Sequence, residues 1–296
     1  MKSNLLLLVT AIIWGFAFVA QRAGMEHIGP FAFNAIRFAL GSISLIPLFL
    51  INYKNKIQTK NIFEFRNNYL VKGGLLLGVV LFLGSTLQQT GLVFTSAGKA
   101  GFITGLYIIL VPIFGLFIGQ KTSSFTWFGA LIAVIGLYLL SIGENFSIDI
   151  GDILVLIGAF FWAIQILLIG FLSTRANAFQ LAFLQFIVCS SLSFIASFLT
   201  EVTTLKSIAE VSIPILYTGI GSVGIAFTLQ IVAQRKAHPS NAAIIMSLEA
   251  VFAVLGGWLL LNESIPFKGL MGCALMLAGM ILSQINFEKK KEIRSS

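Results

Sequence analysis

LQQTGLVFTSAGKAGFITGLYIILVP, residues 87–112, reads as two apolar helices joined by a short turn of small residues. It decides the fold because Gln88, Gln89, Lys99, Thr104 and Tyr107 are set into sequence that otherwise suits lipid. Polar groups turned toward hydrocarbon are costly, so these side chains must face protein or water inside a bundle. The hairpin is therefore an inner wall, and an altered counterpart returns near Leu229.

The flanking chain has the same character. Of 296 residues, 57% are hydrophobic and only 10% charged, with a mean hydropathy of +0.97. Apolar runs recur from residue 4 to residue 287, each long enough to cross a hydrocarbon core of ~30 Å as a helix. The fold class is an all-α integral membrane protein of ten transmembrane helices. Spans are expected at 4–21, 31–51, 70–92, 98–119, 125–142, 151–172, 179–200, 211–233, 241–261 and 266–287. The first run reads as a retained span rather than a signal peptide, since no small-residue cleavage site follows it. Pro30, Pro214, Pro239 and Pro266 fall at or just before span starts, where a missing N–H costs little. Pro47 and Pro112 are interior and should kink spans 2 and 4.

Basic residues set the orientation. With the N-terminus inside, fourteen Lys and Arg fall on the inner side, including Lys54, Lys56, Lys60, Arg66, Lys121 and the C-terminal Lys289, Lys290 and Lys291. Only Arg22, Lys99, Lys206 and Lys268 fall outside. Both termini are thus expected in the cytoplasm. The net charge of +8 is topological, because no basic face with interleaved aromatics suggests nucleic acid. Cys189 and Cys273 lie inside spans without disulfide or metal-ligand spacing. Asp149 and Asp152 have a D-x-x-D spacing, but no second acidic motif exists, and Asp152 is placed to cap span 6. No metal or cofactor is expected.

The halves echo one another. Trp14 matches Trp162 and Phe38 matches Phe186 at an offset of 148, Leu87-Gln88 matches Leu229-Gln230 at 142, and Gly129 and Gly136 match Gly272 and Gly279 at 143. Their common order suggests a duplication, residues 1–145 and 146–296. Five spans per half is odd, so the second half enters the membrane upside down. Two inverted five-helix repeats are a recurring architecture of secondary transporters, in which the halves expose a midplane site to either side in turn.

The chain resembles, over nearly its whole length, the drug/metabolite transporter superfamily in its ten-helix EamA-type branch. The supporting stretches are Trp14 with its small neighbours, AIRFALGS at 35–42, TSAGKAGFITGLYIILVP at 95–112, GDILVLIGAFFWA at 151–163 and SLEAVFAVLGGWLLLNE at 247–263. Where such proteins commonly carry L-E-P in span 9, this chain has Leu248-Glu249-Ala250, which weakens the expected kink there. The resemblance implies a central cavity bordered mainly by spans 1, 3, 4, 6, 8 and 9, with spans 5 and 10 peripheral. It also implies a small polar or amphipathic metabolite, often an amino acid, exported across the plasma membrane.

Glu249 is the one carboxylate inside a span, roughly 12 Å from its inner end, and Arg37 stands about 9 Å from the outer end of span 2. Ionisable groups at such depth are functional candidates. The bland readings are that Arg37 snorkels or pairs with a carbonyl, and that Glu249 ties helices together. Glu249 is the coupling candidate, as the group that takes and gives a proton. Gln88, Gln89, Thr104 and Tyr107, with Gln165, Gln230 and Gln234 from the second half, suit a zwitterionic or neutral polar ligand, or else hydrogen-bond between helices. Trp14 and Trp162 occupy matching positions and are expected at the cavity. Lys99, at the outer start of span 4, is expected simply in water rather than drawing a carboxylate toward an outward-open cavity. The expected partners are a small-molecule substrate, the lipid bilayer and a proton or counter-substrate, with a homodimer left open. A channel or lipid flippase is the main alternative. An intramembrane lipid-modifying enzyme is weaker, because paired acids, or an acid with His, are missing at one depth.

Overall fold

The computed structural model describes residues 2–54, 68–141, 149–261 and 267–283, and every regular element among them is helical. In lipid each segment must satisfy its own backbone, and a helix does so over any long apolar run. In order, the elements are α1 (Lys2–Gly24), α2 (Pro30–Lys54), α3 (Asn68–Phe94), α4 (Ala97–Gly105) continued by α5 (Tyr107–Phe117), α6 (Ser124–Ser141), α7 (Ile150–Leu172) and α8 (Ala178–Thr200). After the short α9 (Leu205–Glu210), α10 (Ser212–Leu216) runs through a π-helical stretch (Tyr217–Phe227) into α11 (Thr228–Gln234). Then α12 (Pro239–Met246) is continued by α13 (Glu249–Leu261), and α14 (Phe267–Ser283) closes the chain. Each expected span overlies one of these runs. Eight runs have the length and composition to cross a membrane, while α6 and α14 are apolar but shorter. Lys56, Lys60, Glu64, Arg66, Glu144, Glu263, Pro266 and the C-terminal basic residues lie outside the described residues.

Apolar side chains point outward as well as inward. Leu75, Leu76 and Val79 on α3, and Ile195, Phe198 and Leu199 on α8, are exposed, whereas Gln88, Gln89, Gln165, Gln230 and Gln234 are buried. A protein in water could not show so much exposed apolar surface and remain dispersed; one in lipid is built this way.

Small residues set the packing. α3 lies against α7 and α8, α1 against α13, α2 against α8, and α6 against α14. On α6 and α14 the backbones touch at bare glycines. A Cβ on Gly129 would stand 2.6 Å from the Gly279 carbonyl oxygen, and one on Gly136 would stand 2.6 Å from that of Gly272. Gly15 similarly admits α13, since a Cβ there would lie 2.7 Å from the Glu249 carbonyl oxygen. That contact brings Trp14 and Glu249 to one wall.

Three expectations change. Span 4 is interrupted at Leu106 rather than at Pro112, which lies inside α5. Leu106 N–H donates to the Ile103 carbonyl at 3.2 Å, a tightened turn that needs no proline. Span 9 is interrupted likewise, Leu248 N–H donating to Ile245 at 3.3 Å, although Ala250 replaces proline. The two breaks are alike, contrary to the asymmetry expected from Pro112 and Ala250. Span 8 is not a regular α-helix, because Gly219, Gly221 and Gly224 leave little side chain to hold the tighter winding, and its wide turns pack on α1 and α2.

Candidate functional site

A cavity of about 450 Å³, its open mouth included, is lined by residues from both the N-terminal and the C-terminal half of the sequence. Its wall takes Trp14, Phe18 and Gln21 from α1, Arg37 from α2, Gln88 from α3, Thr104 from α4 and Tyr107 from α5. The second half supplies Trp162, Gln165 and Ile166 from α7, Ser222 and Phe227 from the π stretch, Gln230 from α11 and Glu249 from α13. These are the spans that the resemblance implies, joined by span 2 through Arg37.

Two helix breaks contribute to its wall. Tyr107 is the first residue of α5 and Glu249 the first of α13, and the phenol donates to Glu249 Oε1 at 2.9 Å. Beside this pair is an aromatic group. Trp14 and Trp162 both pack on Phe227, with ring centroids 4.7 and 5.9 Å away, and Trp14 Nε1 donates to the Ser222 carbonyl at 3.3 Å.

Polar groups occupy two further clusters. In one, Arg37 Nη1 donates to Gln21 Oε1 at 2.6 Å, Gln88 Nε2 approaches the same oxygen at 3.5 Å, and Thr104 Oγ1 donates to Gln88 Oε1 at 3.4 Å. In the other, Gln230 Nε2 donates to Gln165 Oε1 at 3.2 Å. Gln234 Nε2 donates to the Ile166 carbonyl at 2.9 Å. Arg37 Nε, Trp162 Nε1, Gln165 Nε2 and Gln230 Oε1 are buried without a hydrogen-bond partner among the described residues. Buried polar atoms are nearly always paired, so a cavity bordered by several orphans is equipped to receive a polar ligand.

Of the residues singled out from sequence, Trp14, Arg37, Gln88, Thr104, Tyr107, Trp162, Gln165, Gln230 and Glu249 stand on this wall. Gln89 does not; it is buried beside the wall, donating to the Gln21 carbonyl at 3.3 Å. Sequence reasoning passes over Phe18, Gln21, Ile166, Ser222 and Phe227. Gln21 is the last residue of the expected first span and so reads as interfacial, but α1 continues to Gly24 and carries it inside.

The surroundings of two residues decide between their readings: for Arg37 the bland one fails, and for Lys99 the expectation of simple solvation does. Arg37 neither snorkels nor takes a backbone carbonyl; it is 3% exposed, held by Gln21 and set over the rings of Phe38 and Phe33 at 4.9 and 5.8 Å. Lys99 is not simply solvated. Its Nζ lies 2.6 Å from Asp152 Oδ2 and 3.5 Å from Asp149 Oδ2, tying the start of α4 to that of α7. Asp152 also accepts from Asp149 N–H at 2.9 Å, closing the cap at α7, and from Thr95 Oγ1 at 2.7 Å. His27 faces Glu210 at 3.5 Å and His238 accepts from Ser240 N–H at 3.4 Å, so neither stands on the cavity wall.

A model of the family described as EamA-like transporter family matches this chain over residues 1–142 and 149–284. An uncharacterized transporter of Archaeoglobus fulgidus is 33% identical over 282 residues, covering 95% of this chain and 85% of that protein. The uncharacterized transporter YoaV of Bacillus subtilis is 23% identical over 296 residues, covering 98% of this chain and 99% of its own. A solved crystal structure shares the fold with a TM-score of 0.80 at 18% identity, covering 96% of each chain.

Proposed function

The chain belongs to the EamA-like transporter family, and from that premise we propose that it is a secondary transporter working by alternating access. Its cargo is a small polar or amphipathic metabolite, an amino acid or related compound, moved outward across the plasma membrane. The observation that carries this reading is the contact between the halves inside the cavity. Tyr107 and Glu249 each open the helix that resumes after a break, and they hydrogen-bond to one another at 2.9 Å. Interrupted helices meeting at a polar midplane site are characteristic of carriers, because the two sides of such a joint can rock about the bound solute.

Two inverted repeats, 1–145 and 146–296, with both termini cytoplasmic, are the frame for this motion. The separate family matches to each half support it. So does the form of the glycine contacts. In a two-fold arrangement, if residue i meets the mate of j, then j meets the mate of i. Gly129 and Gly136 have Gly272 and Gly279 as their mates by offset, and the contacts are Gly129 with Gly279 and Gly136 with Gly272. Glu249 is the coupling residue, its place in the cavity shared with a neutral phenol. No Lys or Arg among the described residues lies within ion-pair distance of it.

Purified protein in vesicles should show saturable counterflow, in which unlabelled solute outside accelerates release of labelled solute inside. A thermal-shift screen of amino acids, nucleosides, sugars and cationic amines chooses the solute, since a ligand that binds only the folded state raises Tm. Flux that neither saturates nor counterflows would establish the channel reading instead.

A further inference from the structure

Arg37 is, among the described residues, the one cationic side chain on the cavity wall. Among the described residues no carboxylate lies within ion-pair distance of it. A buried cation at membrane depth normally finds an anion or several carbonyl oxygens. Here a single side-chain amide, Gln21, takes Nη1, two Phe rings shield the guanidinium, and Nε is left buried without a partner. The Nε–Nη2 edge of a guanidinium is one to which a carboxylate binds with two parallel hydrogen bonds.

We propose that Arg37 is the anionic subsite of the cavity and that it receives one carboxylate carried on a planar apolar body. The reading rests on the carrier proposal only in taking this cavity as the substrate's. One positive group and one wall acid, Glu249, set the charge limit. A dianion would place two negative charges against one positive charge in a low-dielectric space, where the excess is strongly opposed. The body of the ligand is set by the rings of Trp14, Trp162 and Phe227, which offer flat, weakly polar faces beside the polar clusters. Gln21 serves Arg37 as a positioning residue. Its oxygen fixes one amino group and so orients the remaining fork.

The test uses the full chain purified in detergent and three probes that share one body: 3-phenylpropanoate, 3-phenylpropanamide and 3-phenylpropylamine. The acid should bind at least about tenfold more tightly than the amide or the amine, the difference expected of one charge-assisted pair. Arg37→Gln should level the three. Arg37→Lys should keep part of the preference, because an ammonium retains the charge but lacks the fork. An amide or amine that binds the native protein as tightly as the acid overturns the proposal, as does failure of all three to bind. Those comparisons need no variant and decide the matter even where Arg37→Gln does not fold. An acid preference that survives in Arg37→Gln overturns it too. Counterflow in vesicles separates this inference from the carrier reading. Acid that binds through Arg37 without exchanging leaves the subsite standing and removes the carrier; exchange indifferent to both ligand charge and Arg37→Gln does the reverse.

Discussion

At the scale of single residues, the cavity depends on a few polar groups whose partners come from distant sequence. Among the described residues Glu249 accepts from the Tyr107 hydroxyl and has no Lys or Arg within ion-pair distance, so a proton taken up there would break no ion pair. In vesicles, Glu249→Gln should transport at equal pH on both sides but lose the acceleration given by an imposed pH gradient. Gradient-driven flux unchanged in the variant removes Glu249 from coupling. Most of this layer was legible in the sequence, because an arginine, a glutamate or a glutamine stands out inside an apolar run. The exceptions have physical reasons. Gln21 lies where a span boundary is ambiguous by one turn, and α1 extends far enough to bury it. Lys99 finds its partner, Asp152, on another helix 53 residues along the chain, a contact that local spacing does not encode.

Among elements, the apolar runs announce the helices, but their interruptions are subtler. Proline marks the expected kink at Pro112, whereas the structure turns at Leu106 and at Leu248, where only a tightened hydrogen-bond pattern records the change. The π stretch is similarly hidden in YTGIGSVGIAF, whose glycines permit wide turns without demanding them. The α6–α14 contact is more decisive. Gly136→Leu would force a side chain into the Gly272 carbonyl and the backbone around Met276, and overpacking of this kind costs about 1–3 kcal/mol. The variant should melt at lower temperature in detergent. Gly98→Ala, with nothing within 4 Å of the added carbon, should not. Equal melting of the two would show that α6 and α14 do not depend on this close approach.

Over the whole molecule, the sequence yields the membrane class because it is a property of long stretches. The cavity is implied only by the family resemblance and not by any local pattern, since it forms where seven of the described runs converge, each contributing one to three side chains. Orientation is open to direct measurement. In a background lacking Cys189 and Cys273, an impermeant maleimide applied to intact cells should label Lys206→Cys and spare Lys121→Cys. Both native lysines are exposed. Labelling in the reverse order would invert the proposed topology.

The joint between Tyr107 and Glu249 has a consequence for ancestry. The two residues are 142 positions apart, the offset that also relates Gln88 to Gln230 and the turn at Leu106 to that at Leu248. On the inverted-repeat reading, each is the other's counterpart, and they touch on or near the axis between the halves. In a dimer of identical half-length chains, one residue type would have to face itself there: phenol against phenol, or two acids repelling unless they shared a proton. Joining the halves in one chain lifts that restriction. The position could then diverge into a donor and an acceptor, giving the transport path a chemical polarity that a perfectly symmetric ancestor would have lacked.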